Sequence, residues 1–198
     1  DRGLCGGFNS SINRATVKFV NSLESEGKNV SLITIGKKTR DFFNRIMKDK
    51  IVESYVDITE SGYDAAFQIS NKIQSLYFDN QFDKCILIYN KFVSAITQEV
   101  THQQLIPLEI NKNNEKEKKD TEDKNFAAIY TYEPDESSIL KDLLPKNIST
   151  QIFKVLLESS AGEQGARMAA MDNATRNAGE MIDSLTLKYN RTRQAFIT

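Results

Sequence analysis

Along the first half of the chain, apolar residues keep two alternating rhythms, one helical and one short and continuous. Ile12, Ala15, Phe19, Val20 and Leu23 fall on one side of a helix capped by Asn9 or Ser10, running to about Glu26 and stopped by Gly27. "NVSLITIG" (29–36) is an apolar, β-branched run of strand length. "KKTRDFFNRIMK" then predicts a helix with Phe42, Phe43, Ile46 and Met47 inward, and "KIVESYVDI" a strand. "DAAFQISNKIQSLYF" repeats the helical spacing with Ala66, Ile69, Ile73 and Leu76, and "KCILIYN" reads as a second buried strand. "SAITQEVTHQQLIPLEI" follows as a more polar extended strand, antiparallel at a sheet edge. Strand and helix alternate as βαβ units do, so the expected class is α/β with a mostly parallel sheet.

The rhythm stops at residues 111–125, "NKNNEKEKKDTEDKN", where five Lys balance five Asp or Glu and no side chain is apolar. Such a segment buries too little to offset its ordering entropy, so it reads as a flexible charged insertion. "FAAIYTYEPD" returns as a strand, Pro134 marks a change to helix, and "DESSILKDLL" predicts a short helix broken near Pro145. The expected division is a domain over 1–135 and a helical segment over 136–198.

From about Thr150 to Thr198 there is no proline, and glycine occurs only at Gly162, Gly165 and Gly179. That is roughly 49 residues of helix, about 73 Å long. A domain of the preceding length is only about 37 Å across, from its expected radius of gyration. Within the helix Met168, Met171, Thr175, Ala178, Ile182, Leu185, Tyr189, Thr192 and Phe196 step alternately by 3 and 4, the a/d seam of a coiled coil. Ala166, Ala169, Ala170, Ala174 and Gly179 flank the seam and permit close helix approach. Leaving Met168, Met171, Ile182, Leu185 and Phe196 in water forgoes roughly 8–15 kcal/mol, as much as a domain's whole stability. A partner helix is therefore expected. Both ends read as cut, and the cover for the seam is expected upstream of Asp1.

Composition narrows the function. Of the 198 residues 39% are hydrophobic and 27% charged, a globular balance, and the net charge of −1 does not fit a general nucleic-acid surface. No apolar run approaches the roughly 18 residues of a membrane span. Cys5 and Cys85 make no metal-ligand pattern, and His102 sits in a polar run that reads as strand or loop. The opening "DRGLCGGFN" places Gly3, Gly6 and Gly7 before a helix, but its G-x-x-G-G spacing is neither a Walker loop nor a dinucleotide fingerprint. A strand-to-helix turn accounts for it.

Four stretches carry a resemblance: "DRGLCGGFN", "YEPD" (132–135), "EQGARMAAMDNATRNAGEMI" from Glu163 and "YNRTRQAFIT" from Tyr189. In this order they resemble the gamma subunit of the F-type ATP synthase, the central rotor stalk, in the wording of its alphaproteobacterial or mitochondrial members. The family's long N-terminal helix and the end of its C-terminal helix lie outside this sequence. The resemblance implies a Rossmann-like α/β domain without a nucleotide site, joined to terminal helices wound as an antiparallel coiled coil. It implies no catalysis, no cofactor and no metal. It implies a shaft turned by the c-ring that cycles the catalytic beta subunits through their states, with alpha and beta subunits around it. Arg193, Gln194 and Thr198 match positions that touch beta. Tyr130, Tyr132 and Glu133 match the foot, facing the c-ring and the epsilon subunit (delta in mitochondria). Membrane attachment is then only through the complex, on the cytoplasmic face of a bacterial inner membrane or the matrix face of the mitochondrial one. Two alternatives stay open: a small α/β nucleotide-binding enzyme using the Gly6–Gly7 turn, and a coiled-coil scaffold.

Overall fold

The computed structural model describes residues 2–56, 62–108, 133 and 135–197. In chain order the elements are α1 (Phe8–Ser25), β1 (Leu32–Ile35), α2 (Lys37–Ile46), a 3₁₀ turn (Lys48–Lys50), β2 (Ile51–Tyr55), α3 (Gly62–Phe78), β3 (Cys85–Phe92), β4 (Gln98–Ile106) and α4 (Glu136–Ile197). The protein is α/β with a long C-terminal helix. The charged run 111–125 lies outside the described residues, as does the strand expected from "FAAIYTYEPD" apart from Glu133 and Asp135.

The described strands form two two-stranded sheets. β1 and β2 pair in parallel across α2, the expected βαβ unit, with Leu32 opposite Ile51 and Ile35 opposite Tyr55. The Thr34 and Ser54 hydroxyls, 2.8 Å apart, tie the two strands by side chains as well. β3 and β4 are joined by a five-residue turn, a connection too short for anything but an antiparallel hairpin. The edge strand was expected to begin at Ser94. Instead the Val93 and Ser94 amides donate to the Thr97 carbonyl at 3.3 and 3.0 Å, so 93–97 is the turn and pairing begins at Gln98.

Contacts divide the chain into two compact units. One is Asp1–Ile58 with Asn90–Val100 and Glu158–Thr198; the other is Thr59–Tyr89 with Thr101–Leu157. In the first, Cys5, Phe8, Val20 and Phe43 are buried, and the buried Asn90 amide donates to the Phe8 carbonyl at 3.1 Å. In the second, Ala66, Ile69 and Ile73 of α3, Leu105 and Ile106 of β4, and Ile148, Ile152 and Val155 of α4 make the core. Burial there raises the Cys85 thiol to about 11, as fits a packing residue.

Three expectations need correction. α1 starts at Phe8 behind Gly7, so Asn9 and Ser10 lie inside the first turn. Their side chains turn back, Asn9 to the Arg2 carbonyl at 3.1 Å and Ser10 to the Gly7 carbonyl at 3.0 Å, and neither caps. Ile46, expected inward, is 50% exposed because α2 ends there. Most consequentially, Pro145 does not break the final helix: α4 runs unbroken for 62 residues, about 93 Å at the usual rise. Proline removes one amide bond and crowds the preceding turn, at about 3 kcal/mol. Ile148, Ile152 and Val155, all buried within the next three turns, hold the helix together across it. The helix starts at a well-made cap, where Asp135 accepts from the Ser138 amide at 3.0 Å and the Ser138 hydroxyl at 2.6 Å.

Candidate functional site

Within the first unit, α4 changes character along its length. Its nearer portion is a stripe of small residues laid against the chain's own backbone. A β-carbon on Gly165 would stand 2.8 Å from the Ala95 carbonyl oxygen, and one on Gly162 would stand 3.1 Å from the Phe8 ring. Ala166, Ala169 and Ala170 continue the stripe and, with Cys5, Gly6, Gly7 and Ile96, line a shallow hollow. Gly6 has φ +54°, the left-handed conformation that glycine adopts without penalty, and the chain turns there into α1. The hollow's lining carries no charged side chain. A nucleotide's phosphates would meet no cation there, so the Gly6–Gly7 turn has the chemistry of a corner and not of a phosphate cradle.

Beside the hollow, Arg167 pairs with Glu163 one turn back and donates to the Gln164 amide oxygen at 2.6 Å. Burial alone would raise the Glu163 carboxyl, but the hydrogen bond from Arg167 and its charge hold it below the usual range. Among the described residues no group of three His, Cys, Asp or Glu could hold a metal ion.

Beyond this portion α4 is bare. Every described residue from Met171 to Ile197 is exposed. All nine seam positions lie on this one helix, and all are exposed: Met168 60%, Met171 40%, Ile182 63%, Leu185 57%, Tyr189 67% and Phe196 86%, together with Thr175, Ala178 and Thr192. Met181, Leu187 and Ile197, which lie off the seam, are exposed as well, so exposure by itself does not pick out the register. Arg193 and Gln194 are exposed on the last turns of α4, and Glu133 is exposed two residues before the Asp135 cap. Thr198, Tyr130 and Tyr132 lie outside the described residues. Ala166, Ala169, Ala170, Ala174 and Gly179 were expected to serve helix approach along the seam. The structure uses Gly162, Gly165, Ala166, Ala169 and Ala170 against the chain itself, whereas Gly179 has nothing within 4 Å of its would-be β-carbon. Small residues mark close approach but not what approaches, so the sequence could not separate the two uses.

No helix among the described residues is long and apolar enough to cross a membrane. The family model described as ATP synthase matches residues 1–198. Proteins named ATP synthase gamma chain from Pelagibacter ubique and Rhodospirillum rubrum are each 50% identical over 200 residues, spanning 100% of this chain and 66% and 67% of their own lengths. One from Paramagnetospirillum magneticum is 48% identical over 200 residues, spanning 100% of this chain and 66% of its own. The chain thus spans about two thirds of the length of these relatives. Among solved structures it resembles the central stalk and c-ring of the Tetrahymena thermophila mitochondrial ATP synthase, with TM-score 0.65 and 28% identity over 88% of this chain and 72% of that one. The rotor of the Euglena gracilis mitochondrial enzyme shares the fold, with TM-score 0.67 and 20% identity over 100% of this chain and 72% of that one. With the family matched along its whole length, and half of its residues identical to those of named gamma chains, the chain belongs to the ATP synthase gamma chain family.

Proposed function

We propose that the chain is part of the central rotor stalk of an F-type, proton-translocating ATP synthase. It is a non-catalytic subunit that couples c-ring rotation to the conformational cycle of the catalytic beta subunits. The observation that carries this reading is the bare distal half of α4: a continuous run of exposed helix with apolar residues at a/d spacing, in a member of this family. A stiff two-helix shaft suits the task, since a shaft shifts an equilibrium among beta conformers only by contacting them differently as it turns. Arg193, Gln194 and Thr198 are assigned to beta contacts, where polar groups make bonds that break and reform each turn. Tyr130, Tyr132 and Glu133 are assigned to the foot, against the c-ring and the epsilon subunit (delta in mitochondria). The nine seam positions are assigned to a second helix. Attachment to the membrane is peripheral, on the cytoplasmic face of a bacterial inner membrane or the matrix face of a mitochondrial one.

Leu185 and Leu187 test the reading together, because they are both exposed here, at 57% and 72%, and differ only in register. In the full-length subunit, Leu185→Asp buries an unpaired charge in the seam and should abolish assembly or ATP-driven proton pumping. Leu187→Asp faces outward and should leave both intact. Pumping by membrane vesicles is the readout, and equal behaviour of the two variants would refute the seam.

A further inference from the structure

The chain's net charge of −1 conceals a local excess: Lys37–Lys50 holds six basic residues and two acidic ones. Helical spacing sets Lys38, Asp41 and Arg45 on one side of α2, and Lys48 opens the 3₁₀ turn that follows it. The opposite side carries Phe43, 1% exposed, into the core. Lys38, Arg45 and Lys48 are exposed, and among the described residues none of them closes an ion pair. Asp41 is already engaged. Arg40 donates to its Oδ1 from Nε and Nη2 at 3.2 and 2.9 Å. Lys50, at the far end, is taken by Glu24 of α1.

We infer that this face of α2 docks a carboxylate-rich segment of a neighbouring protein. Its geometry selects among anionic partners. A lipid surface would want an apolar side to enter the acyl layer, and α2 turns Phe43 and most of Phe42 inward. A nucleic-acid backbone is uniformly negative and has no group to set beside the Arg40–Asp41 pair in the middle of the stripe. A protein segment can set carboxylates opposite Lys38, Arg45 and Lys48 and a basic residue or a gap opposite Asp41, so that Asp41 fixes its register. Half-exposed Ile46 on the flank offers an apolar contact beside the charges. The choice of partner rests on the rotor reading: the segment belongs to another subunit of the ATP synthase.

The test uses the full-length protein in the assembled ATP synthase of its own organism, treated with a zero-length carbodiimide that joins amines to carboxylates. Mass spectrometry should find Lys38 or Lys48 joined to an Asp or Glu of another subunit. The yield should fall severalfold between about 0.1 and about 1 M salt, as the screening length drops from about 10 to about 3 Å. It should vanish in the double variant Lys38→Gln, Lys48→Gln. Bonds only to carboxylates of the same chain would overturn the inference. So would the absence of any inter-subunit bond together with binding of the full-length protein to phosphatidylglycerol vesicles or duplex DNA that is lost in the triple variant Lys38→Glu, Arg45→Glu, Lys48→Glu. Failure to co-purify with other ATP synthase subunits would sink the rotor reading and this inference with it. Co-purification without an inter-subunit bond from α2 would sink this inference alone.

Discussion

At the scale of single residues, two glycines of one helix behave oppositely. Gly165 lies where a β-carbon would come within 2.8 Å of the Ala95 carbonyl oxygen, a backbone atom that cannot swing aside; Gly179 has open space around it. Gly165→Ala should therefore destabilise the protein by about 1–3 kcal/mol through overpacking. Gly179→Ala should stabilise the helix by up to about 1 kcal/mol through propensity. Urea melts followed by circular dichroism should show the two shifts with opposite sign. A second prediction concerns the helix start. The Ser138 hydroxyl and amide hold the Asp135 carboxyl below its ordinary value of 3.8. Because the folded value lies below the unfolded one, the cap's contribution is full above the unfolded pKa and is lost as pH falls through the folded one. The Ser138 amide proton, followed by NMR, should titrate with a midpoint below 3.8, and the titration should disappear in Asp135→Ala.

At the scale of elements, α2 and α3 were legible because their apolar spacing and their function in the fold agree: Phe43, Ala66, Ile69 and Ile73 are buried as expected. The end of α1 was legible for a similar reason. Gly27, at φ +76°, lets its amide reach the Glu24 carbonyl at 2.9 Å and the Lys28 amide reach Leu23 at 3.0 Å. What escaped the sequence were boundaries that run against composition. The β3–β4 turn contains Ile96, which reads as strand; Ile96 is 81% exposed, and backbone bonds to Thr97 make the turn instead. Pro145 reads as a stop, yet packing beyond it wins. Pro145→Ala should restore the missing amide bond and stabilise the protein by about 1–3 kcal/mol, visible as a raised urea midpoint. An unchanged midpoint would mean that the helix at Pro145 carries no strain from it.

At the scale of the whole molecule, the α/β class and the long final helix were both visible in the periodicity, and the family in the motifs. The basic face of α2 was not, because a balanced total charge hides a local excess that only a helix wheel separates. The division of labour along α4, first against its own chain and then bare, was not visible either, since alanine and glycine look alike in both settings. For the run 112–124, with no apolar side chain to bury, deletion in the full-length subunit should leave ATP-driven proton pumping intact; lost pumping would make it a contact site. The notch at Gly165 has a mechanical consequence. Turning α4 about its own axis by one residue's worth, about 100°, would bring the side chain of Ala166 or Gln164 onto the Ala95 backbone. The hairpin thus seats in the helix as a key seats in a slotted spindle. A torsional load entering at the tip of α4 would pass into the strands through main-chain contact, with little slip to be taken up by bending side chains.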